Sequence, residues 1–119
     1  MGLVVTIHAE ATDRNSSPYF IEKVAKKFPE LNIMMGHLSP DELTVVNRTK
    51  NMWADTALTS YKTIKMAFDM IVGDRVCFGS DYPYVNGAEF EIWKVRKALP
   101  SENNQRKVFD ENLENYLHR

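Results

Sequence analysis

The chain of 119 residues carries a single cysteine, Cys77. One thiol makes no internal disulfide, which excludes the disulfide-stapled secreted scaffolds and predicts a reducing, cytoplasmic compartment. Neither charge sign is in surplus: 15 Lys and Arg against 16 Asp and Glu leave a formal charge of −1. That balance excludes a basic field for nucleic acid or an anionic membrane. No apolar run reaches the roughly 18 residues of a membrane span. The basic stretch and apolar core of a secretory signal are also missing, so the sequons at Asn15 and Asn47 are chance matches. Met1-Gly2-Leu3-Val4-Val5-Thr6 formally fits a myristoylation pattern, but Leu3 to Ile7 reads as a buried strand that a lipid tether would disturb. The length predicts a single domain over 1–119 and is too short for a complete (β/α)8 barrel of about 250 residues. What is present is ordinary for a folded protein, with 44% apolar and 26% charged residues.

Strand and helix patterns alternate along the chain. Leu3-Val4-Val5-Thr6-Ile7, Leu31-Asn32-Ile33-Met34-Met35, Asn51 to Ala57 and Arg75-Val76-Cys77-Phe78 are short apolar runs of the kind buried on both faces in parallel sheets. Between them lie helical signals. Ser17-Pro18 opens a helix in which Phe20, Val24 and Phe28 recur at i, i+4 and i+8 with Ile21 and Ala25 beside them, giving one apolar face, and Pro29 stops it. Ser39-Pro40 with Glu42 opens a second through a capping box. Ile64, Ala67, Phe68 and Ile71 mark a third, with Gly73 as its stop. After Asn86-Gly87 comes a fourth with Phe90, Trp93 and Leu99, broken at Pro100. Ser101 caps a last helix with Phe109, Leu113, Tyr116 and Leu117 on one side. The order β-α-β-α-β-α-β-α predicts an α/β fold, four parallel strands joined by right-handed crossovers.

All four apolar runs end in an acid or an imidazole: His8, His37, Asp55 and Asp81. Burial gives no reason for that recurrence, and in α/β folds reactive groups gather where strands end. Two imidazoles and a carboxylate on one rim resemble the ligand set of a hydrolytic metal site suited to Zn²⁺, Mn²⁺ or Fe²⁺. Taken singly, a His there reads as a hydrogen-bonding structural residue and an Asp as a helix cap. His118, in the terminal helix, reads as solvent-facing.

Several stretches carry a family resemblance: Val5-Thr6-Ile7-His8-Ala9, Ala25 to Leu31 running into Met35-Gly36-His37-Leu38, Asn51 to Ala57, Asp74 to Pro83 and Val108 to Leu113. Of these, Asp74 to Pro83 is the most specific. The sequence resembles the C-terminal half of the amidohydrolase-related (amidohydrolase family 2) group of metal-dependent TIM-barrel enzymes. That group includes lactonases, amide hydrolases and carboxy-lyases related to aminocarboxymuconate semialdehyde decarboxylase. The resemblance implies that His8 is a metal ligand, His37 contacts substrate or a metal-bound water, and Asp81 is both metal ligand and proton acceptor. Asp55 ends the third run, where a structural or secondary role is expected, and it is grouped with the substrate-binding residues. Tyr82 and Tyr84 fall on a substrate-facing loop, or else are packing residues.

The family's first strand carries a His-x-His pair, and none occurs in these residues. With His37 reserved for proton transfer, His8 and Asp81 alone predict weak binding of a divalent metal, zinc first. A half-barrel would leave an apolar inner face and two bare strand edges. A homodimer, a separate N-terminal half, or irregular packing of a truncated chain would each answer this. Two functions follow: a metal-dependent hydrolase of C–N or C–O bonds in a small carbonyl or carboxylate substrate, with a carboxy-lyase as its variant, or a catalytically inactive self-associating module.

Overall fold

Apolar strands that alternate with helical stripes must be covered, and the two faces of this sheet are covered by different means. The computed structural model describes residues 3–70, 72–85 and 87–118. The Met1-Gly2 lipidation pattern, Ile71 of the third helical stripe and Asn86 of the loop before the fourth helix lie outside the described residues. Along the chain run β1 (Val4–His8), α1 (Pro18–Lys27), β2 (Asn32–Gly36), α2 (Pro40–Arg48), β3 (Met52–Asp55), α3 (Tyr61–Asp69), β4 (Val76–Cys77), α4 (Ala88–Ala98), α5 (Glu102–Arg106) and α6 (Asn112–His118). A 3-10 turn over Gly73–Arg75 leads into β4, and a π-type turn over Lys107–Glu111 joins α5 to α6. The strands are parallel in the order β1-β2-β3-β4, as helical crossovers require. This is the α/β arrangement that the alternation predicts.

Register divides the side chains between two faces. Ile7, Ile33, Met35, Met52, Ala54 and Val76 face the helices and pack with Ile21 and Ala25 of α1, Leu43 and Val46 of α2 and Ala67 of α3. Each fully buried aliphatic chain in this layer stabilises by about 1.5–3 kcal/mol. The other face carries Thr6, Met34 and Trp53 in register, with Cys77 beyond. Tyr116 of α6 seals its foot by packing on Met34, Trp53 and Cys77, its ring 5.5 Å from that of Trp53. The Tyr116 hydroxyl donates to the Val5 carbonyl at 2.9 Å. Asn112 Nδ2 ties the start of α6 to the Gly73 and Val76 carbonyls, both at 2.7 Å. At the outer edge of β4 the Phe78 N–H donates to the Val108 carbonyl at 2.9 Å. The expectation of a bare inner face with two bare edges therefore needs correction: the C-terminal segment covers the foot of the face and part of one edge.

The helix faces need a second correction. Phe20, Val24 and Phe28 are exposed, while Ile21, Glu22 and Ala25 are buried. In α4, Phe90 and Trp93 lie close to half exposed beside buried Glu91, Lys94, Val95 and Ala98. In α6, Leu113 and Leu117 are exposed and Tyr116 is buried. The reason is close approach: alanines let the helices seat near their neighbours, and ionisable groups go inside as partnered sets. Glu22 accepts from Arg48 Nε and Nη2 at 2.7 and 2.6 Å and from Thr49 Oγ1 at 2.9 Å. Lys94 Nζ lies 2.6 Å from Glu91 and donates to the Thr59 carbonyl at 2.6 Å. The capping box at Ser39 and Glu42 is formed as expected. Gly73 does not stop α3, which ends at Asp69; it begins the 3-10 turn, so close to Phe68 that a Cβ would lie 2.6 Å from the ring.

Candidate active site

The carboxyl ends of the strands form one rim. His8 ends β1 opposite Gly36, and His37 is the first residue beyond β2. Their rings meet edge to face, centroids 5.0 Å apart at 73°. His37 Nδ1 is buried without a hydrogen-bond partner, a costly state for a polar atom unless something occupies it. His8 is exposed, with Nε2 3.8 Å from the Glu10 carboxylate. Glu10 is a neighbour that the strand-end pattern passes over, because it falls two positions past the apolar run. An acid at i+2 from a rim histidine is the signal that would have found it.

Asp55 ends β3 and turns inward. Its Oδ1 accepts from the backbone N–H of His37 at 3.0 Å and from that of Ala57 at 3.0 Å. Its own carbonyl accepts from Leu38 N–H at 2.9 Å. Burial pushes the Asp55 carboxyl above the usual carboxylate range and the nearby Asp81 charge adds to this, against the two backbone donors and His37. Asp55 thus touches the corner that carries His37 more closely than it touches open solvent.

Asp81 follows β4 and is half-buried. Tyr82 and Tyr84 stand on its loop with 71% and 86% of their surface exposed, so neither packs into this chain's core. His118 is exposed on α6. Among the described residues, three that are not glycine have left-handed backbone, all after strand ends: His37 (φ 69°), Leu58 (φ 59°) and Asp81 (φ 54°). Such outliers cost about 1–3 kcal/mol each and concentrate at functional sites. Two of the three are residues singled out from the sequence.

The structure brings His8, His37 and Asp55 to the ends of three adjacent strands, whereas His8 and Asp81 stand at or beyond the ends of the two outer ones. Among the described residues, no group of three or more His, Cys, Asp or Glu side chains is gathered closely enough to hold an ion. The exposed His8 imidazole and the half-buried Asp81 carboxylate are donors of the types that suit a divalent cation as part of a larger set. No helix among the described residues is long and apolar enough to cross a membrane.

A family model described as amidohydrolase matches residues 1–114. The fold is similar to that of 5-carboxyvanillate decarboxylase from Sphingomonas paucimobilis, at 15% identity and a TM-score of 0.67, over 86% of this chain and 39% of that one. A dihydroxybenzoic acid decarboxylase from a Polaromonas species, with bound manganese and the inhibitor 2-nitroresorcinol, is similar at 18% identity and a TM-score of 0.67, over 88% and 41% of the two chains. A probable 2-pyrone-4,6-dicarboxylic acid hydrolase from Acinetobacter baumannii, with citric acid bound, is similar at 14% and 0.65, over 96% and 52%. At these identities the likeness shows the fold: four parallel strands with flanking helices, half of a TIM barrel. The chain spans 39 to 52% of the length of these three structures. Among proteins of curated function, none matches the sequence.

Proposed function

Because the chain belongs to the amidohydrolase family, we propose that it supplies the proton-transfer side of a metal-dependent hydrolase acting on C–N or C–O bonds of a small carbonyl or carboxylate substrate. One observation carries this reading: the His8 and His37 rings meet at 5.0 Å on one rim while His37 Nδ1 stays buried and unpartnered. His8 and Asp81 are the residues that would hold the cation. Zinc comes first, since imidazole donors suit it, and manganese second, since a structural relative binds it. When bound, such an ion supplies Lewis acidity and a lowered water pKa. His37 polarises or protonates the substrate, Asp81 accepts a proton, and the exposed Tyr82 and Tyr84 line the approach. The single buried cysteine suits a cytoplasmic setting.

A carboxy-lyase is the second reading, favoured by the decarboxylases among the similar folds. There the same rim groups would manage charge during C–C cleavage. Either activity calls for the other side of the barrel, from a second copy or a separate N-terminal half. The exposed Phe20, Val24 and Phe28 on α1 and Phe90 and Trp93 on α4 are surfaces such a partner would cover. The inactive self-associating module rests on the absence of a three-group cluster among the described residues.

Metal content after chelator-free purification, measured with solution mass, separates these readings. Metal that is retained by the wild type and lost in His8→Ala and Asp81→Ala supports the enzyme. Equal metal-free behaviour of all three supports the inert module. Turnover on adding a separately expressed half that carries His-x-His would establish the divided barrel.

A further inference from the structure

We propose that Asp55 is a positioning residue of the rim: its carboxylate holds His37 in the left-handed conformation that keeps its ring beside His8, and glycine at 79 is the space this carboxylate requires. The inference rests on the reading of His37 as the proton-transferring side chain, and it departs from a substrate contact for Asp55.

Two successive amides of the β2–α2 corner end on Asp55. His37 N–H donates to Oδ1 at 3.0 Å, and Leu38 N–H donates to the main-chain carbonyl at 2.9 Å. The first of these residues has φ 69°, a conformation that a histidine does not adopt without local support. The same Oδ1 also accepts from Ala57 N–H at 3.0 Å, which fixes the carboxylate relative to its own strand. The corner is further tied where Thr59 Oγ1 donates to the Leu38 carbonyl.

On the far side, the segment after β4 approaches so closely that a Cβ on Gly79 would lie 2.8 Å from Asp55 Cγ and 3.0 Å from both its Cβ and Oδ1. Gly79 has no left-handed φ, so this contact is the constraint on that position. Thr56 N–H donates to the Cys77 carbonyl at 3.0 Å and Gly79 N–H to Thr56 Oγ1 at 3.2 Å, which ties β4 and the segment after it to β3's end. Gly36 is the contrasting neighbour: a Cβ there would make ordinary contact, 3.7 Å from Asp55 Oδ2. Both glycines lie on the rim, and only one is demanded by the carboxylate.

Acceptor geometry, rather than charge, is what this role needs. An asparagine supplies an Oδ1 in the same place and an alanine supplies none. The first measurement is metal-free: nuclear Overhauser contacts between the His8 and His37 ring protons, with the His37 amide proton shift. The contacts and shift are expected in the wild type, Asp55→Asn and Gly36→Ala, and are expected to be lost in Asp55→Ala and Gly79→Ala. The second measurement is Mn²⁺ titration by calorimetry, with Kd raised about tenfold or more in Asp55→Ala and kept within about threefold in Asp55→Asn. Persistence of the ring contacts and amide shift in folded Asp55→Ala would overturn the proposal, as would their loss in Asp55→Asn. Should circular dichroism show Asp55→Ala unfolded, the folded pair Gly79→Ala and Gly36→Ala decides: equal, wild-type-like spectra overturn it. If the wild type takes up no Mn²⁺, the functional reading fails while the ring contacts still judge Asp55.

Discussion

The foot and the rim of the inner sheet face are built from the same strands only two residues apart, and they are finished in opposite ways. At the foot, Met34, Trp53 and Cys77 close around Tyr116. At the rim, the same alternation presents His8, Gly36, Asp55 and, beyond β4, Gly79, with an open imidazole at His8. Packing and chemistry are thus separated along one strand direction. Large side chains fill the closed end, and glycines leave room at the open one. A rim filled like the foot would be more stable and would have nowhere to receive a ligand.

The largest expected effect tests whether the foot carries the stability. Tyr116→Ala removes a buried ring together with its hydrogen bond to Val5, and a loss of about 3–4 kcal/mol is expected from urea denaturation midpoints. Tyr116→Phe keeps the ring and should lose about 1 kcal/mol. An unchanged midpoint in Tyr116→Ala would mean that the foot does not need its cover.

Next in size is an element outside both regions, the ionic set that joins α1 to α2. Glu22 is buried, and the Arg48 guanidinium that binds both its oxygens, helped by Lys26 and Thr49, holds its carboxyl down at about 2 against the cost of burial. The folded value lies below the ordinary 4.5. The contribution is therefore full above pH 4.5 and is lost as pH falls from there through 2. The shift corresponds to about 3 kcal/mol, and solvent screening at half-exposed Arg48 brings the expected loss to about 2 kcal/mol. Stability measured against pH should show this slope in the wild type and lack it in Glu22→Gln.

These regions differ in how far they can be read from the chain. The rim is legible because an acid or imidazole ending an apolar run has no packing reason to be there, and His8, His37, Asp55 and Asp81 all stand at such ends. The cap at Ser39 is legible because its partners are three residues apart. The foot is not: Asn32 Nδ2 meets the Tyr116 carbonyl across a separation of 84 residues, and no local period encodes that contact. Helix faces misled for a related reason. Periodicity locates an apolar stripe without saying which flank is pressed on the sheet, and in α1 the closest approach belongs to Ile21 and Ala25, beside Phe20, Val24 and Phe28. The wedge of Asp55 against Gly79 depends on strand spacing at the rim, which a string of residues does not express.

At the rim the expected stability change is small. His8 is exposed and ends an edge strand, so His8→Ala should move the denaturation midpoint by no more than about 0.5 kcal/mol while abolishing metal retention. Stability lost on the scale of Tyr116→Ala would show that the rim is a packing element and would remove the contrast with the foot.

The smallest effect is the absence of a reaction. Cys77 lies at the foot, and burial pushes its thiol up to about 12, with the Asp55 charge adding to the shift. The thiolate is the reactive form, so at about pH 8 almost none is present in the native chain. A chromogenic disulfide reagent should leave Cys77 untouched in buffer and titrate one thiol per chain in concentrated urea. The rate in buffer then reports how often the foot opens, because the reagent must pass Tyr116 and Trp53 to arrive. Slow modification, accelerated in Tyr116→Phe, would mark the hydroxyl bond to Val5 as the latch on that cover. Modification in buffer as fast as in urea would show that the foot stands open like the rim.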